Sequence, residues 1–224
     1  MKRPLRTLSQ INGAASLIVM LPGAYMTPED YQNAGFFEAI RQRQIALDIA
    51  TVDVDLEAIS SGTALPAIHT DIIEPARQQG YKKIWLGGIS LGGLLALNYQ
   101  ADQLGKIDGL CLLAPYPGSR LTTNAIERAG GLAHWQATSE ELTDPEFRVW
   151  QWLQQKADQI PVFIGHGRED RFAKGMAQIA DCFPAHARHV VEGGHDWPAW
   201  QKLWENFLDN ALDTGCFPNT KQPA

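Results

Sequence analysis

The feature that most constrains this chain is Gly88-Ile89-Ser90-Leu91-Gly92. It follows a short apolar run, Ile84-Trp85-Leu86, and opens an apolar, helix-like segment from Leu91 to Gln103. A serine with glycine two residues to either side, set between a strand and a helix, marks a sharp elbow. The chain turns so tightly at the serine that a side chain at either glycine would collide with the neighbouring strand or helix. The strained turn lifts the hydroxyl clear of the sheet, at the positive end of a helix. At average glycine and serine usage, chance supplies this pattern roughly 0.1 times in a chain this long. Its place after a strand and before a helix gives it weight.

An elbow of this kind needs a sheet around it, and the rest of the sequence supplies one. Short apolar runs alternate with amphipathic stretches along the chain. Ser16 to Leu21 is continuously apolar after its first residue, as in a strand buried on both faces. Thr27 with Pro28 predicts a helix start, with Thr27 as N-cap, running to about Gln42. Strand Ile45 to Val52, loop Asp53 to Gly62 and helix Leu65 to Gln79 follow, the last ended by Gly80. Lys83 to Gly87 and Gly109 to Leu113 are the strands on either side of the Leu91 helix. After an interruption, strand Pro161 to Gly165, helix Ala173 to Asp181, strand His189 to Val191 and helix Trp197 to Leu212 complete the alternation. Alternating strand and helix implies parallel strands with helices on both faces. The count is six parallel strands, with a possible seventh, antiparallel one from Arg6 to Ile11.

The interruption, residues 114–159, carries Pro115, Pro117, a Gly130-Gly131 pair and the aromatic residues Trp135, Phe147, Trp150 and Trp152. It reads as a small cap inserted into a single α/β domain spanning 1–224, with one helix start at Thr143-Asp144-Pro145. Residues 213–224, past Gly215, read as a loose tail.

Composition bounds the partners. At 224 residues, 45% hydrophobic and 20% charged, the chain can bury a core without a metal or disulfide staple. Its net charge of -6, with no block of like charges, argues against nucleic acid and against stable association with an anionic membrane. Three widely separated cysteines, Cys111, Cys182 and Cys216, suit a reducing, cytoplasmic setting. Lys2, Arg3 and Arg6 ahead of apolar Ala14 to Leu21 superficially resemble a signal peptide. Polar Ser9, Gln10 and Asn12 separate the charges from that run, which ends in a Pro22-Gly23 turn and reads better as a strand. No run reaches the roughly 18 apolar residues of a transmembrane helix.

In open parallel sheets, reactive groups gather at the carboxyl ends of the strands. The candidates here do so. Ser90 follows one strand, Asp170 follows Pro161 to Gly165 in Gly165-His166-Gly167-Arg168-Glu169-Asp170, and His195 follows His189 to Val191 in Gly193-Gly194-His195-Asp196. The elbow, the H-G-x-x-D stretch and the G-G-H stretch together resemble the α/β-hydrolase superfamily, of the serine esterase or thioesterase type. The likeness covers nearly everything from Ala15 to Leu208, and the Gly-Gly-His-Asp-Trp ending is similar to that of a broad esterase group. The order serine, aspartate, histidine is the triad order of that fold.

The resemblance implies a serine hydrolase cleaving a carboxylic ester of a small molecule, with no metal or cofactor. His195 would be the general base, and Asp170 would fix its tautomer, with Glu169 and Asp196 as rivals for that place. One oxyanion donor would be the backbone N–H of Leu91, and the second that of Ala24, or next Tyr25, in Leu21-Pro22-Gly23-Ala24-Tyr25. The family often has His-Gly where this chain has Pro-Gly, but backbone groups do the work. Tyr25, Trp135 and Trp150 are candidates to touch substrate. The competing reading makes the cap aromatics the core of the insertion. Trp197, Trp200 and Trp204 recur at helical spacing, which favours packing of the last helix. His166 reads as structural within its turn. The same apparatus would serve a thioesterase and, less readily, a peptidase. A non-catalytic binding protein has no need of all three groups. Oligomeric state is open.

Overall fold

The apolar runs become the inner strands of a seven-stranded sheet in the order β1-β3-β2-β4-β5-β6-β7. In the computed structural model, which describes residues 4–102 and 105–220, the strands are β1 (Thr7–Gln10), β2 (Ser16–Leu21), β3 (Asp48–Val52), β4 (Lys83–Ile89), β5 (Gly109–Leu113), β6 (Val162–Gly167) and β7 (Arg188–Val191). Strands β2 to β7 run parallel, and β1 pairs antiparallel with β3 along the edge. The apolar stretch that superficially resembles a signal peptide is β2, fully buried and paired with β3 on one side and β4 on the other. Lys2 and Arg3 lie outside the described residues. Arg6 is fixed by Glu29 and Asp53.

The helices are α1 (Pro28–Asn33), α2 (Phe36–Arg43), α3 (Leu56–Ser60), α4 (Ala64–Ile68), α5 (Glu74–Gln78), α6 (Leu91–Ala101), α7 (Arg120–Arg128), α8 (Pro145–Lys156), α9 (Ala173–Ala180) and α10 (Trp197–Asp213). Side-chain alternation along the strands divides the interior in two. Leu17, Val19 and Leu21 of β2 face a core closed by Ile68, Ile73, Leu94 and Trp150. Ile18 and Met20 face the other, closed by Tyr31, Phe36, Leu203 and Trp204. Among the described residues, no helix is long and apolar enough to cross a membrane.

Several expected elements differ, each for a local reason. The helix foreseen from Thr27 to about Gln42 is two, because Gly35 takes φ 80°. Side chains of α10 satisfy carbonyls freed at the break: Gln201 Nε2 donates to Ala34 at 2.9 Å and Trp204 Nε1 to Phe36 at 3.0 Å. The loop foreseen from Asp53 to Gly62 contains α3, capped by the Asp55 carboxylate accepting from Ala58 N at 2.6 Å. Between α4 and α5 the helix widens to a π-type turn, His69–Ile73, where Pro75 has no N–H for the regular ladder. The α6 helix ends at Ala101, and its expected end at Gln103 lies outside the described residues.

The loose tail is a correction. Residues past Gly215 fold back over the lower ends of the strands as far as Thr220. Phe217 is 0% exposed and packs against the rings of Trp85 and Phe207. Ala46 N donates to Pro218 O at 2.9 Å, Thr220 N to Gln44 O at 2.8 Å, and Lys83 Nζ to Cys216 O at 2.8 Å. One buried aromatic outweighs the polar character of its neighbours. Residues 221–224 lie outside the described residues. Phe217→Ala is expected to lower unfolding stability by about 3 kcal/mol, read from the urea midpoint; a loss below about 0.5 kcal/mol would mean that the tail contributes nothing.

Candidate active site

Ser90 joins β4 to α6 at φ 52°, ψ -113°, a conformation that costs an L-residue on the order of 1–3 kcal/mol. Backbone contacts enforce it. Ser90 N donates to Leu113 O at 3.0 Å, and Tyr116 N donates to Ser90 O at 2.9 Å. A Cβ on Gly88 would overlap the Gly92 carbonyl, and a Cβ on Gly92 would overlap the carbonyl of Leu21. Both glycines are therefore needed for close approach, as the sequence pattern implies.

The other two predicted residues converge on this serine. His195 Nε2 lies 2.9 Å from Ser90 Oγ, and His195 Nδ1 lies 2.6 Å from Asp170 Oδ2. An ionised carboxylate only accepts, so Nδ1 carries the proton and Nε2 is free to accept from the serine hydroxyl. The Asp170 side chain is 0% exposed and that of His195 13%. Asp170 Oδ1 accepts from Phe172 N at 2.8 Å, which leaves the carboxylate no rotational freedom.

The rivals of Asp170 have other partners. Glu169 Oε2 accepts from Gly193 N at 2.6 Å and so fixes the loop of His195 to the loop of Asp170. Asp196 caps α10, accepting from Ala199 N at 3.2 Å. His166 is buried and its Nδ1 lies 2.9 Å from Gly167 O, within its own turn. A Cβ on Gly167 would overlap the Gly193 carbonyl, so the acid and base loops touch backbone to backbone.

Two aromatic rings hold the imidazole edge-on: Phe172 at 5.3 Å between centroids and Trp200 at 5.2 Å. Sequence reasoning assigned Trp200 to packing alone and did not single out Phe172. Its signal was slight, an apolar residue two places after the acid. Phe172 in turn meets Tyr116 at 5.3 Å.

The loop after β2 lies beside the elbow. Tyr31 Oη donates to Leu21 O at 2.6 Å, and burial raises its phenol far above the usual range, so it stays a donor. Met26 N donates to Gly23 O at 3.1 Å, closing a turn in which Tyr25 takes φ 64°. Ala24 and Tyr25 are exposed, Tyr25 to 90%. Leu91, as the first residue of α6, has no partner for its N–H within the helix.

Two expected substrate contacts are corrected. Trp135 and Trp150 are 3% and 1% exposed and belong to the first core. Trp150 Nε1 donates to Pro117 O at 3.1 Å, and Trp135 stacks on Phe147 at 5.9 Å. These rings join the inserted segment to the core beneath the sheet. Among the described residues, no group of three or more His, Cys, Asp or Glu side chains is placed to hold a metal ion.

The sequence profile of the alpha/beta hydrolase family matches residues 18–216. The chain belongs to the alpha/beta hydrolase family. No curated protein matches it by sequence. Among solved structures of this fold, it is similar to FphF of Staphylococcus aureus, a fluorophosphonate-binding serine hydrolase. Identity is 14%, coverage 92% of this chain and 98% of that one, and TM-score 0.64. It is also similar to Est1E from Butyrivibrio proteoclasticus, at 15% identity, 91% and 92% coverage and TM-score 0.61. Mouse alpha/beta hydrolase domain-containing protein 10 aligns at 17% identity, 96% and 97% coverage and TM-score 0.61. At these identities the likeness is one of alpha/beta hydrolase fold.

If the Gly92 contact sets the elbow, Gly92→Ala should cost about 3 kcal/mol in thermal or urea unfolding. Gly62→Ala, where φ is 73° and the space is open, should cost about 1 kcal/mol. Equal losses would show that close approach at Gly92 is not the constraint.

Proposed function

We propose that the protein is a serine hydrolase that cleaves the carboxylic ester of a small molecule through an acyl-enzyme on Ser90. The observation that carries this reading is the hydrogen-bonded chain from buried Asp170 through His195 to a serine held in a strained elbow.

The chemistry follows from the donors and acceptors. Ser90 Oγ attacks the ester carbonyl carbon as its proton passes to His195 Nε2. Asp170 stabilises the imidazolium and keeps it oriented. The carbonyl oxygen becomes an oxyanion, which accepts hydrogen bonds from the N–H groups of Leu91 and Ala24. His195 then returns its proton to the leaving alkoxide, and the carbon–oxygen bond breaks to give alcohol and acyl-serine. Water repeats the sequence on the acyl-enzyme, with His195 again as base, releasing the acid and restoring Ser90. Tyr25, 90% exposed on the proposed oxyanion turn, would lie against the bound acyl group. No metal or cofactor is needed at any step. The three free cysteines support a cytoplasmic location.

A fluorophosphonate probe should label the protein at Ser90, and Ser90→Ala should abolish labelling. His195→Ala should lower ester turnover about as far as Ser90→Ala does, because the groups act as a unit. Absence of labelling in folded protein, or near-normal turnover without His195, would overturn the proposal.

The choice of acid has its own test. Asp170→Asn should reduce kcat by about 10⁴, since an amide favours the wrong tautomer. Asp196→Asn should leave kcat within about twofold, because asparagine caps a helix as well as aspartate does. The reverse order would move the acid to Asp196.

A further inference from the structure

Beside the base lies a cleft of about 630 Å³ between the segment after β5, helix α7 and the start of α9. Tyr116 and Phe172 form its near wall. Phe172 touches the His195 ring, and Tyr116 N is bonded to Ser90 O, so the cleft adjoins both nucleophile and base. Its walls are fixed. Pro117 packs where a side chain on Gly175 would be, 2.6 Å from the position of a Cβ.

The lining is polar and cationic. Arg120, Arg171 and Lys174 line it, with one carboxylate, Glu127. Lys174 Nζ pairs with Glu127 at 3.2 Å. Neither Arg120 nor Arg171 has a carboxylate partner among the described residues. The Arg171 guanidinium sits 4.8 Å over the Phe172 ring, which orients it at the near wall. Of the nearby carboxylates outside the lining, Glu146 accepts from Ser119 N and Thr122 Oγ1, each at 2.7 Å, and Asp170 is held by Phe172 N and His195. Two exposed guanidinium groups without a carboxylate partner, in a cleft that reaches Ser90 and His195 through Tyr116 and Phe172, stand out on a chain of net charge -6. The cap tryptophans that could have made an apolar acyl site are turned into the core. A substrate extending from Ser90 past Tyr116 and Phe172 would therefore meet cations.

We propose that the substrate carries an anionic group, a carboxylate or phosphate, within a few bonds of the scissile ester. That group would bind between Arg120 and Arg171 while the carbonyl sits on Ser90. Guanidinium forks match the geometry of both anions and hold them more firmly than neutral acceptors. The proposal rests on Ser90 as nucleophile and names the substrate class of that same site.

The test uses matched ester pairs with one anionic and one neutral member. The 4-nitrophenyl half-ester of glutaric acid is compared with its methyl ester, and 4-acetoxybenzoate with its methyl ester. These place the carboxylate on the acyl and leaving sides. A 4-nitrophenyl phosphonobutanoate, against its dimethyl ester, supplies the phosphate-like arm. In at least one pair the anionic member should have about tenfold higher kcat/KM, and the advantage should shrink with added salt. The better of the carboxylate and phosphonate arms identifies the anion. Arg120→Gln and Arg171→Gln should each reduce the anionic-to-neutral ratio several-fold, and Arg120→Glu should turn the advantage into a penalty. The ratio is internally controlled, because a misfolded variant loses both rates. Equal turnover of charged and neutral members by wild-type protein that a fluorophosphonate labels would overturn the anionic preference and leave the hydrolase reading intact. An advantage surviving in Arg120→Gln and Arg171→Gln would overturn the assignment to these arginines. If the wild-type protein is not labelled, the hydrolase reading fails and this inference fails with it.

Discussion

The contact on which the rest of the molecule depends is between two stretches of backbone. Gly92, at the start of α6, lies against the carbonyl of Leu21 at the end of β2, with no room for a side chain between them. Pairing of β2 with β4 brings Leu21 level with Gly88, and the Gly92 contact carries that alignment past the sheet into the turns above it. The same approach fixes the height of the serine and the place of the loop holding Gly23 to Tyr25. The proposed nucleophile and the proposed oxyanion loop are thus two sides of one packing event. Strain at Ser90 is sustained because its own N–H and carbonyl are held by Leu113, Tyr116 and Leu94.

The sheet order explains why the rest of the site assembles nearby. From β2 the chain moves outward to β3 and then returns across β2 to begin β4, so connections diverge at the β2–β4 boundary. A crevice opens where connections part to opposite faces of a parallel sheet. Strands β5, β6 and β7 then follow in sequence, and the loops after β6 and β7 lean back toward the crevice. Glu169 and Gly167 join those two loops before either side chain of the relay is considered.

What could be read in the sequence was what depends on short-range sterics and period. The two elbow glycines, the apolar runs of β2 and β5, and the order Ser90, Asp170, His195 were all legible, because each leaves a local mark. The antiparallel β1 edge could be foreseen only as a possible seventh strand. What could not be read depended on distant partners. Gly35 breaks one helix into two because α10 is there to donate hydrogen bonds to the exposed carbonyls. Phe217 anchors a tail whose neighbours are polar, because Trp85 and Phe207 leave a space for it. Trp135 and Trp150 carry no mark that distinguishes a pocket wall from the core of an insertion; only their burial does.

The two oxygens of Asp170 serve different masters. One holds the imidazole, and the other holds the backbone of Phe172, whose ring walls the cleft and supports Arg171. In the proposed mechanism, rate and selectivity therefore share a single hinge. A lineage that remodelled this wall to admit a different substrate would disturb the proton relay in the same step. New selectivity could arise at lower cost from α7, where Arg120 reaches the cleft from an element with no hydrogen bond to the acid or base. The fold thus separates a side of the cleft that is free to vary from one that is not.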